Sequence, residues 1–272
     1  MSTTLGDIEI TPLVDAVGVL GDLGELYAGA PADEWEPYRA LYPEVFDGSG
    51  WRLLVAVYLL RSGGKTLLLD TGVGPAELWQ EWKAEREGLL PGALEALGLG
   101  PADVDVVFLT HLHIDHLGWN ADADAAVFFP NARYVVHADA LAYANSKADR
   151  PQIRRCVTPL LDRFEDAVEG AELLRGVTPV MFPGHYPGHM GLRIRSGGTE
   201  AVAIGDIAPH PALLDRTEWV FAFDEVPQTS TRAELVREVV DTDVVVICGH
   251  YPGSGIGRVV TRDGRVTWEE LA

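Results

Sequence analysis

Residues 110–120, Thr-His-Leu-His-Ile-Asp-His-Leu-Gly-Trp-Asn, place four potential metal ligands within six consecutive positions. They are His111, His113, Asp115 and His116. Imidazole nitrogens and carboxylate oxygens are donors that zinc and similar cations accept. The stretch follows residues 104–109, a largely apolar run that is typical of a buried strand. Donors buried at the end of such a strand would be costly unless a cation paired with them, so the pattern predicts a metal site.

Three more donors stand shortly after predicted strands later in the chain: His185, Asp206 and His250. The same pattern recurs each time, with an apolar run followed by a short glycine-containing turn and then by the donor. A catalytic zinc ion takes about three protein ligands and keeps one position for water. The seven donors therefore suffice for two ions.

The His-x-His-x-Asp-His motif after a hydrophobic strand resembles the metallo-β-lactamase-fold hydrolases. The similarity extends from Leu67-Leu-Leu-Asp-Thr-Gly-Val-Gly74 to Gly249-His-Tyr-Pro-Gly-Ser-Gly-Ile-Gly-Arg258. Within that superfamily the sequence looks closest to the branch that holds acyl-homoserine lactonases and methyl parathion hydrolase. The resemblance implies an α/β fold, the four-layer αββα sandwich, with its site along one edge of the two sheets.

The resemblance also implies how the donors are shared between two zinc ions, although iron, manganese or cobalt can occupy similar sites. One ion is expected at His111, His113 and His185, and the other at Asp115, His116 and His250, with Asp206 reaching both. Ions ~3.5–4 Å apart can share a hydroxide that attacks the substrate. Asp70 is expected to support the metal loop without binding metal. His189, the second histidine of the Pro-Gly-His-x-Pro-Gly-His sequence, is expected to orient a ligand.

Three residues are expected to take part in catalysis directly: Asp115, Asp206 and His210. The acyl-homoserine lactonases have a tyrosine three residues after the bridging aspartate, where this sequence has Pro209. Sequences that resemble methyl parathion hydrolase more often have a histidine in this neighbourhood, as His210 is. His210 is expected either to line the pocket or to lie at the surface.

The leading hypothesis is a dinuclear zinc hydrolase that acts on a lactone or another carboxylic ester. The alternatives are a phosphotriesterase, a thioesterase similar to glyoxalase II and, outside the enzymes, a metal-dependent sensor or scaffold. Residues 15–50 and 149–170 are candidate pocket walls, because they are rich in large apolar side chains. Such walls favour a small hydrophobic ester or lactone as the substrate.

Composition narrows the class of protein further. The chain has 272 residues, 47% of them hydrophobic, so we expect one globular domain over residues 1–272. A net charge of −20 argues against nucleic acids and anionic membranes as partners. The two cysteines, Cys156 and Cys248, form no disulfide framework, and the N-terminus has no pattern of a secretory signal. We therefore expect a cytoplasmic protein, whose oligomeric state the composition leaves open.

Sequence patterns also predict the elements that position these residues. Strands are expected at 7–14, 53–60, 65–69, 104–109, 133–137, 177–182, 191–195, 200–204 and 243–248, and a terminal hairpin at 259–268. Helices are expected at 31–41, 75–87, 91–99 and 138–148. A further helix is expected to begin with a capping box at Thr231-Arg-Ala-Glu234.

Overall fold

The computed structural model describes residues 2–75 and 83–271. In these residues fifteen strands form two sheets. The first sheet contains β1 (Thr3–Leu5), β2 (Ile8–Asp22), β3 (Phe46–Asp47), β4 (Gly50–Ser62), β5 (Lys65–Leu69), β6 (Lys83–Arg86), β7 (Val106–Phe108), β8 (Arg133–Val136) and β9 (Phe164–Asp166). The second contains β10 (Val177–Met181), β11 (Met190–Ser196), β12 (Thr199–Ala203), β13 (Val245–Ile247), β14 (Ile256–Arg262) and β15 (Arg265–Glu270).

Parallel strands form one side of the first sheet and the centre of the second. The first sheet runs β1-β2-β4-β5-β7-β8-β9, with β3 paired to β4 and β6 paired to β2. Its strands β5, β7, β8 and β9 are parallel. The second sheet runs in chain order from β10 to β15, and β12 and β13 form its parallel pair. Loops that follow parallel neighbours leave the sheet at the same edge, where the candidate site lies.

The helices in the described residues are α1 (Leu23–Leu26), α2 (Glu36–Leu41), α3 (Leu90–Ala96), α4 (Ile114–Leu117), α5 (Ala138–Asn145), α6 (Pro151–Cys156) and α7 (Thr229–Val239). Short 3₁₀ turns lie at Ala32–Trp35, Pro43–Val45, Pro101–Asp103, Gly118–Asn120, Thr158–Leu160 and Pro211–Leu214. Within the described part of the chain, no helix is long and apolar enough to cross a membrane.

Alternation along the strands explains why the sheets stack and the helices cover them. Side chains in a strand point alternately to its two faces. Leu60 of β4 packs with Ile194 of β11 in the core between the sheets. Its neighbour Leu59 points the other way and packs with Leu94 of α3 and Ala140 of α5. On the outer face of the second sheet, residues of β12 to β15 pack against α7. The predicted αββα sandwich is therefore confirmed.

Every predicted strand is present, and most have ends within three residues of the prediction, but the strand expected at 7–14 continues to Asp22 as β2. Two helix predictions also need correction. Residues 76–82 of the helix expected at 75–87 lie outside the described residues. Its last part is a strand, because the charged sequence of Lys83–Arg86 has no apolar face and pairs with β2 at Val17–Val19. The capping box at Thr231 is also wrong: α7 begins at Thr229, and the Thr231 hydroxyl donates to the Pro183 carbonyl.

Candidate metal centre

The ligand-rich loop begins where β7 ends. β7 lies between its parallel neighbours β5 and β8, so its carboxyl end opens at the edge of the first sheet. His111 and His113 follow, the latter in extended backbone, and the single turn of α4 then carries Asp115 and His116. The short helix turns these last two side chains to the same site as the two preceding histidines.

The second sheet brings Asp206 and His250 to the same place. Ala203, the last residue of β12, is paired with Ile247, the last residue of β13. Asp206 and His250 each stand three residues beyond these paired positions. Because the two strands are parallel and in register, the two side chains leave the sheet side by side. His185 approaches from the loop after β10 with a positive φ of 61°.

Three histidines converge on one point. His113 Nδ1 lies 3.0 Å from His111 Nε2 and 2.9 Å from His185 Nε2, and the two Nε2 atoms are 3.3 Å apart. His111 and His185 are fully buried. Three ring nitrogens within this distance of one another form the face of a coordination site.

A second set of donors stands next to the first, and Asp206 faces both. Asp206 Oδ1 lies 3.4 Å from His116 Nε2 and 3.2 Å from His250 Nε2. Its other oxygen, Oδ2, lies 3.5 Å from His185 Nε2 in the first set. Asp115 Oδ2 completes the second set at 3.5 Å from His250 Nε2. The two oxygens of one carboxylate therefore point to two different groups of nitrogen donors.

Hydrogen bonds at the opposite ring nitrogen orient four of these histidines. Nδ1 of His116 donates to Asp70 at 2.8 Å, and Nδ1 of His185 donates to Asp224 at 2.9 Å. Nδ1 of His250 donates to the Leu54 carbonyl at 2.7 Å, and Nδ1 of His111 donates to the Thr110 hydroxyl at 3.0 Å. The carboxylates and the carbonyl can only accept, and the Thr110 hydroxyl accepts because its own proton goes to Asp70. The proton is therefore on Nδ1 in each ring, which leaves Nε2 with a free lone pair. Asp70 thus has the supporting position expected of it. Asp224 had no signal in the sequence.

These tautomers allow a test of whether a cation fits. The Nε2 atom of His116 and the Oδ1 atom of Asp206 are buried and have no hydrogen-bond partner. When the His116 ring is neutral both atoms are acceptors, so neither can satisfy the other, although they are 3.4 Å apart. Buried acceptors without partners are costly. A metal cation bound here would satisfy both atoms, so the donor set fits a metal ion.

The electrostatics of the two donor sets differ. Burial lowers the pKa of His111 and His113 well below its usual value, and neighbouring histidines lower it further. Burial also opposes the charged form of His116, but the carboxylates of Asp206, Asp115 and Asp70 outweigh it and raise the pKa of that imidazole. The field of the carboxylates therefore favours positive charge at the His116 side of the site.

His189 supports the site from behind Asp206. Its Nε2 accepts a hydrogen bond of 3.0 Å from the Asp206 backbone N–H, and its Nδ1 donates to the Phe182 carbonyl. Burial and the nearby His185 lower its pKa to about 3, so the ring is neutral. Gly205 has a φ of +51°, and a Cβ there would lie 2.5 Å from His189 Nε2. Only glycine at position 205 lets the His189 ring approach the Asp206 backbone.

His210 does not lie with the other site residues. It is fully buried, and its ring centroid is 5.1–5.4 Å from those of Trp35, Phe46 and Trp51. Its Nδ1 accepts from the Ala212 N–H and caps the Pro211–Leu214 turn. Burial lowers its pKa to about 3. The expectation that His210 lines the pocket or lies at the surface is wrong, because the segment before β4 covers it.

A cavity of about 400 Å³ opens above the donors. Its lining includes a group of apolar side chains and a group of polar or charged ones. One group of lining residues is apolar: Leu20, Trp51, Leu53, Phe221 and Phe223. Another is polar: Lys147, Arg150, Gln152, Tyr186 and Glu225.

Both predicted wall segments contribute to this cavity, but sparingly. Residues 15–50 supply Leu20, and residues 149–170 supply Arg150, Gln152 and Ile153. Most aromatic side chains of the first segment pack around His210 instead. Residues 221–225 form a wall that the sequence patterns did not indicate.

The comparisons with known proteins agree with this geometry. Residues 50–250 match the family described as the Metallo-beta-lactamase superfamily. An N-acyl homoserine lactonase of Bacillus cereus is 26% identical over 219 residues, covering 75% of this chain and 83% of that protein.

Two solved structures share the fold over almost their whole length. One is described as the hydrolase AbOPH in the beta lactamase superfamily, with a TM-score of 0.84, 24% identity and coverage of 100% of this chain and 97% of that one. The other is AidC, described as a dizinc quorum-quenching lactonase in complex with a product, with a TM-score of 0.84, 20% identity and the same coverage.

Proposed function

The chain is a metal-dependent hydrolase of the metallo-β-lactamase superfamily, and we propose that it hydrolyses lactones or related carboxylic esters at a pair of zinc ions. The observation that carries this proposal is the placement of Asp206, whose two oxygens face two separate sets of nitrogen donors. The similarity to an N-acyl homoserine lactonase supports the choice of substrate class. The likeness to AidC supports the fold.

In this proposal six of the seven donors each bind one ion, and the seventh is shared. The first ion would be held by His111, His113 and His185, the second by Asp115, His116 and His250, and Asp206 would reach both. Ions bound there would supply a nucleophile from water near neutral pH and polarise the scissile carbonyl.

The residues around these donors keep the geometry rigid. Asp70 holds His116 and, through its other oxygen, accepts from the Thr110 backbone N–H at 2.8 Å. Asp224 fixes the His185 ring in the same way. Ligands oriented by such hydrogen bonds lose little freedom on binding a cation, so the site is organised before substrate arrives.

Asp115 is the carboxylate placed to handle protons. It lines the cavity, and one of its oxygens lies 3.5 Å from His250 Nε2. Opening an ester requires that the departing alkoxide receives a proton. Asp115 is therefore proposed to accept the proton released by the attacking water and to pass it to that oxygen. His210 has no part in this step, because it is sealed in the aromatic cluster.

The test combines metal analysis with a substrate panel. Metal-replete protein is expected to contain about two metal ions per chain. The panel compares lactones, aryl esters, phosphotriesters and glutathione thioesters by kcat/KM, with lactones or aryl esters expected to lead. Full activity with one ion or none would overturn the binuclear site. A preference for phosphotriesters or glutathione thioesters would overturn the substrate class, and binding of metal without any turnover would favour a sensor or scaffold.

A further inference from the structure

Positive charge collects beside the cavity in a strongly acidic protein. The whole chain has 21 lysines and arginines against 41 aspartates and glutamates. Residues 147–163 reverse this balance, with five basic side chains against two acidic ones. The basic residues are Lys147, Arg150, Arg154, Arg155 and Arg163. Two of them, Lys147 and Arg150, line the cavity itself.

Lys147 and Arg150 are held next to each other by the backbone. The Arg150 N–H donates to the Lys147 carbonyl at 2.9 Å, in the turn between α5 and α6. The Lys147 ammonium lies 5.3 Å from the centroid of the Tyr143 ring, an arrangement that stabilises a cation while leaving it accessible. Both residues line the cavity where it meets solvent, since Arg150 is exposed and Lys147 is half-buried.

In the described part of the chain, the Arg150 guanidinium differs from its basic neighbours because it has no hydrogen-bond or ion-pair partner. Arg155 donates to the Asp122 carbonyl, Arg163 to the Pro130 carbonyl and Arg154 to the Asp149 carbonyl. Within residues 2–75 and 83–271, Arg150 makes no side-chain hydrogen bond, and neither it nor Lys147 has a carboxylate within ion-pair distance. Two accessible cations without partners at a cavity mouth form a site for an anion.

Four acidic residues line the same cavity, and two of them, Asp115 and Asp206, belong to the proposed ligand set. The other two, Asp224 and Glu225, limit the anion that fits. Asp224 is turned inward and accepts from His185 Nδ1. Glu225 lies beside Tyr143, and its acceptance of a hydrogen bond raises the pKa of the Tyr143 hydroxyl. The mouth therefore has two free cations against one engaged carboxylate. This balance suits a single negative charge, such as a carboxylate, better than a polyanion.

The distance between the mouth and the metal ligands sets the length of the ligand. The ring centroids of His113 and Tyr186 are 4.9 Å apart, and those of Tyr186 and Tyr143 are 5.1 Å apart. Lys147 lies one further step beyond Tyr143. An extended chain that spans these steps has roughly 8–12 bonds. Such a chain would run along the cavity with its scissile end at the ligands.

We propose that Lys147 and Arg150 form a specificity subsite for a carboxylate at the far end of the acyl group. The preferred substrates are then lactones or esters whose acyl chain ends in an anion and whose uncharged middle passes Tyr186. This inference rests on the proposed hydrolase function and narrows its substrate class. It also modifies the expectation of a purely hydrophobic ligand.

The test uses matched pairs of para-nitrophenyl esters of increasing chain length. In each pair one acyl group ends in a carboxylate and the other in the methyl ester of that carboxylate. The ratio of kcat/KM for the charged ester to that for the neutral one is expected to exceed unity at the spanning length. R150Q and K147Q are each expected to lower this ratio by roughly two- to five-fold, the range of an accessible ion pair.

Two further variants separate contact from general charge. R154Q removes the same charge from the same basic segment, but Arg154 is exposed and lies outside the cavity lining. The ratio is expected to stay at the wild-type value in R154Q and to rise in E225Q. Equal effects of R150Q and R154Q would overturn the subsite in favour of long-range attraction. An unchanged ratio in R150Q and K147Q would overturn it as well.

Binding of a ligand that is not hydrolysed tests the subsite independently of the proposed hydrolase activity. Calorimetry with the non-hydrolysed anilide of the same dicarboxylic acid, against the anilide of its methyl ester, measures the subsite in the metal-replete protein. Weaker binding of the charged anilide in R150Q supports the subsite even if no ester is turned over. Equal binding of both anilides to the wild type contradicts it, whatever the esterase activity.

Discussion

Asp70 and His116 share a hydrogen bond of 2.8 Å in which the ring Nδ1–H donates to Oδ2 of the carboxylate. The backbone of Asp70 has a positive φ of 62°, a conformation that an aspartate adopts at some cost. The cost is met because both carboxylate oxygens find donors, one on His116 and the other on Thr110. A residue that binds no metal in the proposal thus sets the direction of the His116 lone pair.

Replacing Asp70 with asparagine is therefore expected to weaken the second ion more than the first. The amide places an N–H₂ group, itself a donor, against either the His116 ring N–H or the Thr110 N–H. It also removes the negative charge that favours a cation at His116. Metal affinity should fall by about 10–100-fold, as is usual for partners of ligands. Titration of zinc in a chelator buffer measures it. Asp124→Asn, a change at an exposed carboxylate, is the control, and equal affinities in the two variants would contradict the role of Asp70.

Asp206→Ala is expected to lower metal content and kcat together while the fold persists. The substitution removes the carboxylate that faces both donor sets, and its small side chain fits any space that aspartate filled. Elemental analysis and steady-state kinetics measure the two losses, and circular dichroism verifies the fold. Wild-type turnover of any good substrate by this variant would show that Asp206 is not the bridge.

His189→Ala is expected to cost less than the loss of a ligand, about 10–100-fold in kcat/KM. The ring acts on Asp206 only through the backbone N–H, at 3.0 Å. His189→Gln can offer an oxygen to the same N–H and should recover part of the loss. Zinc occupancy, compared between the two variants, shows whether an acceptor at position 189 is what positions Asp206. If glutamine restored nothing, the role of His189 would be to fill space and not to position Asp206.

The burial of His210 predicts a particular dependence of stability on pH. Its pKa is lowered from 6.5 to about 3 in the folded chain, so below pH 6.5 the unfolded chain binds a proton that the folded chain does not. The buried ring therefore does not lower the free energy of unfolding above pH 6.5, and it lowers that free energy progressively as the pH falls from 6.5 toward 3. His210→Asn keeps an acceptor for the Ala212 N–H but cannot be protonated in this range.

Urea unfolding of the wild type and His210→Asn between about pH 4 and 7 measures this difference. The slope of unfolding free energy against pH should be smaller in the variant, by no more than the slope that corresponds to one bound proton. His137→Asn is the matched control, because His137 is only partly buried and caps α5 in a similar way. Parallel slopes for the wild type and His210→Asn would contradict the buried neutral ring.

The sequence predicts the donors better than it predicts their surroundings, for a physical reason. The four donors from His111 to His116 lie within six consecutive residues, so their spacing alone implies a shared site. Asp206 and His250 follow apolar strands whose pairing is specified by hydrophobic patterning.

Asp224 reaches His185 across 39 residues from a loop without periodicity, and no local pattern marks that contact. The same holds for His210. Its exposure depends on whether Trp35, Phe46 and Trp51 fold over it, and this is decided by tertiary packing.

The two wall segments at residues 221–225 and 147–153 differ in how far substitutions in them would affect the proposed metal ligands. The loop at residues 221–225 contributes Phe221 and Phe223 to the wall and also carries Asp224, which holds a proposed ligand. A new substrate preference acquired there would disturb the catalytic apparatus at the same time. Residues 147–153 contribute wall residues but no hydrogen bond to a ligand in the described structure. Specificity can therefore diverge through this second segment while the chemistry is inherited intact.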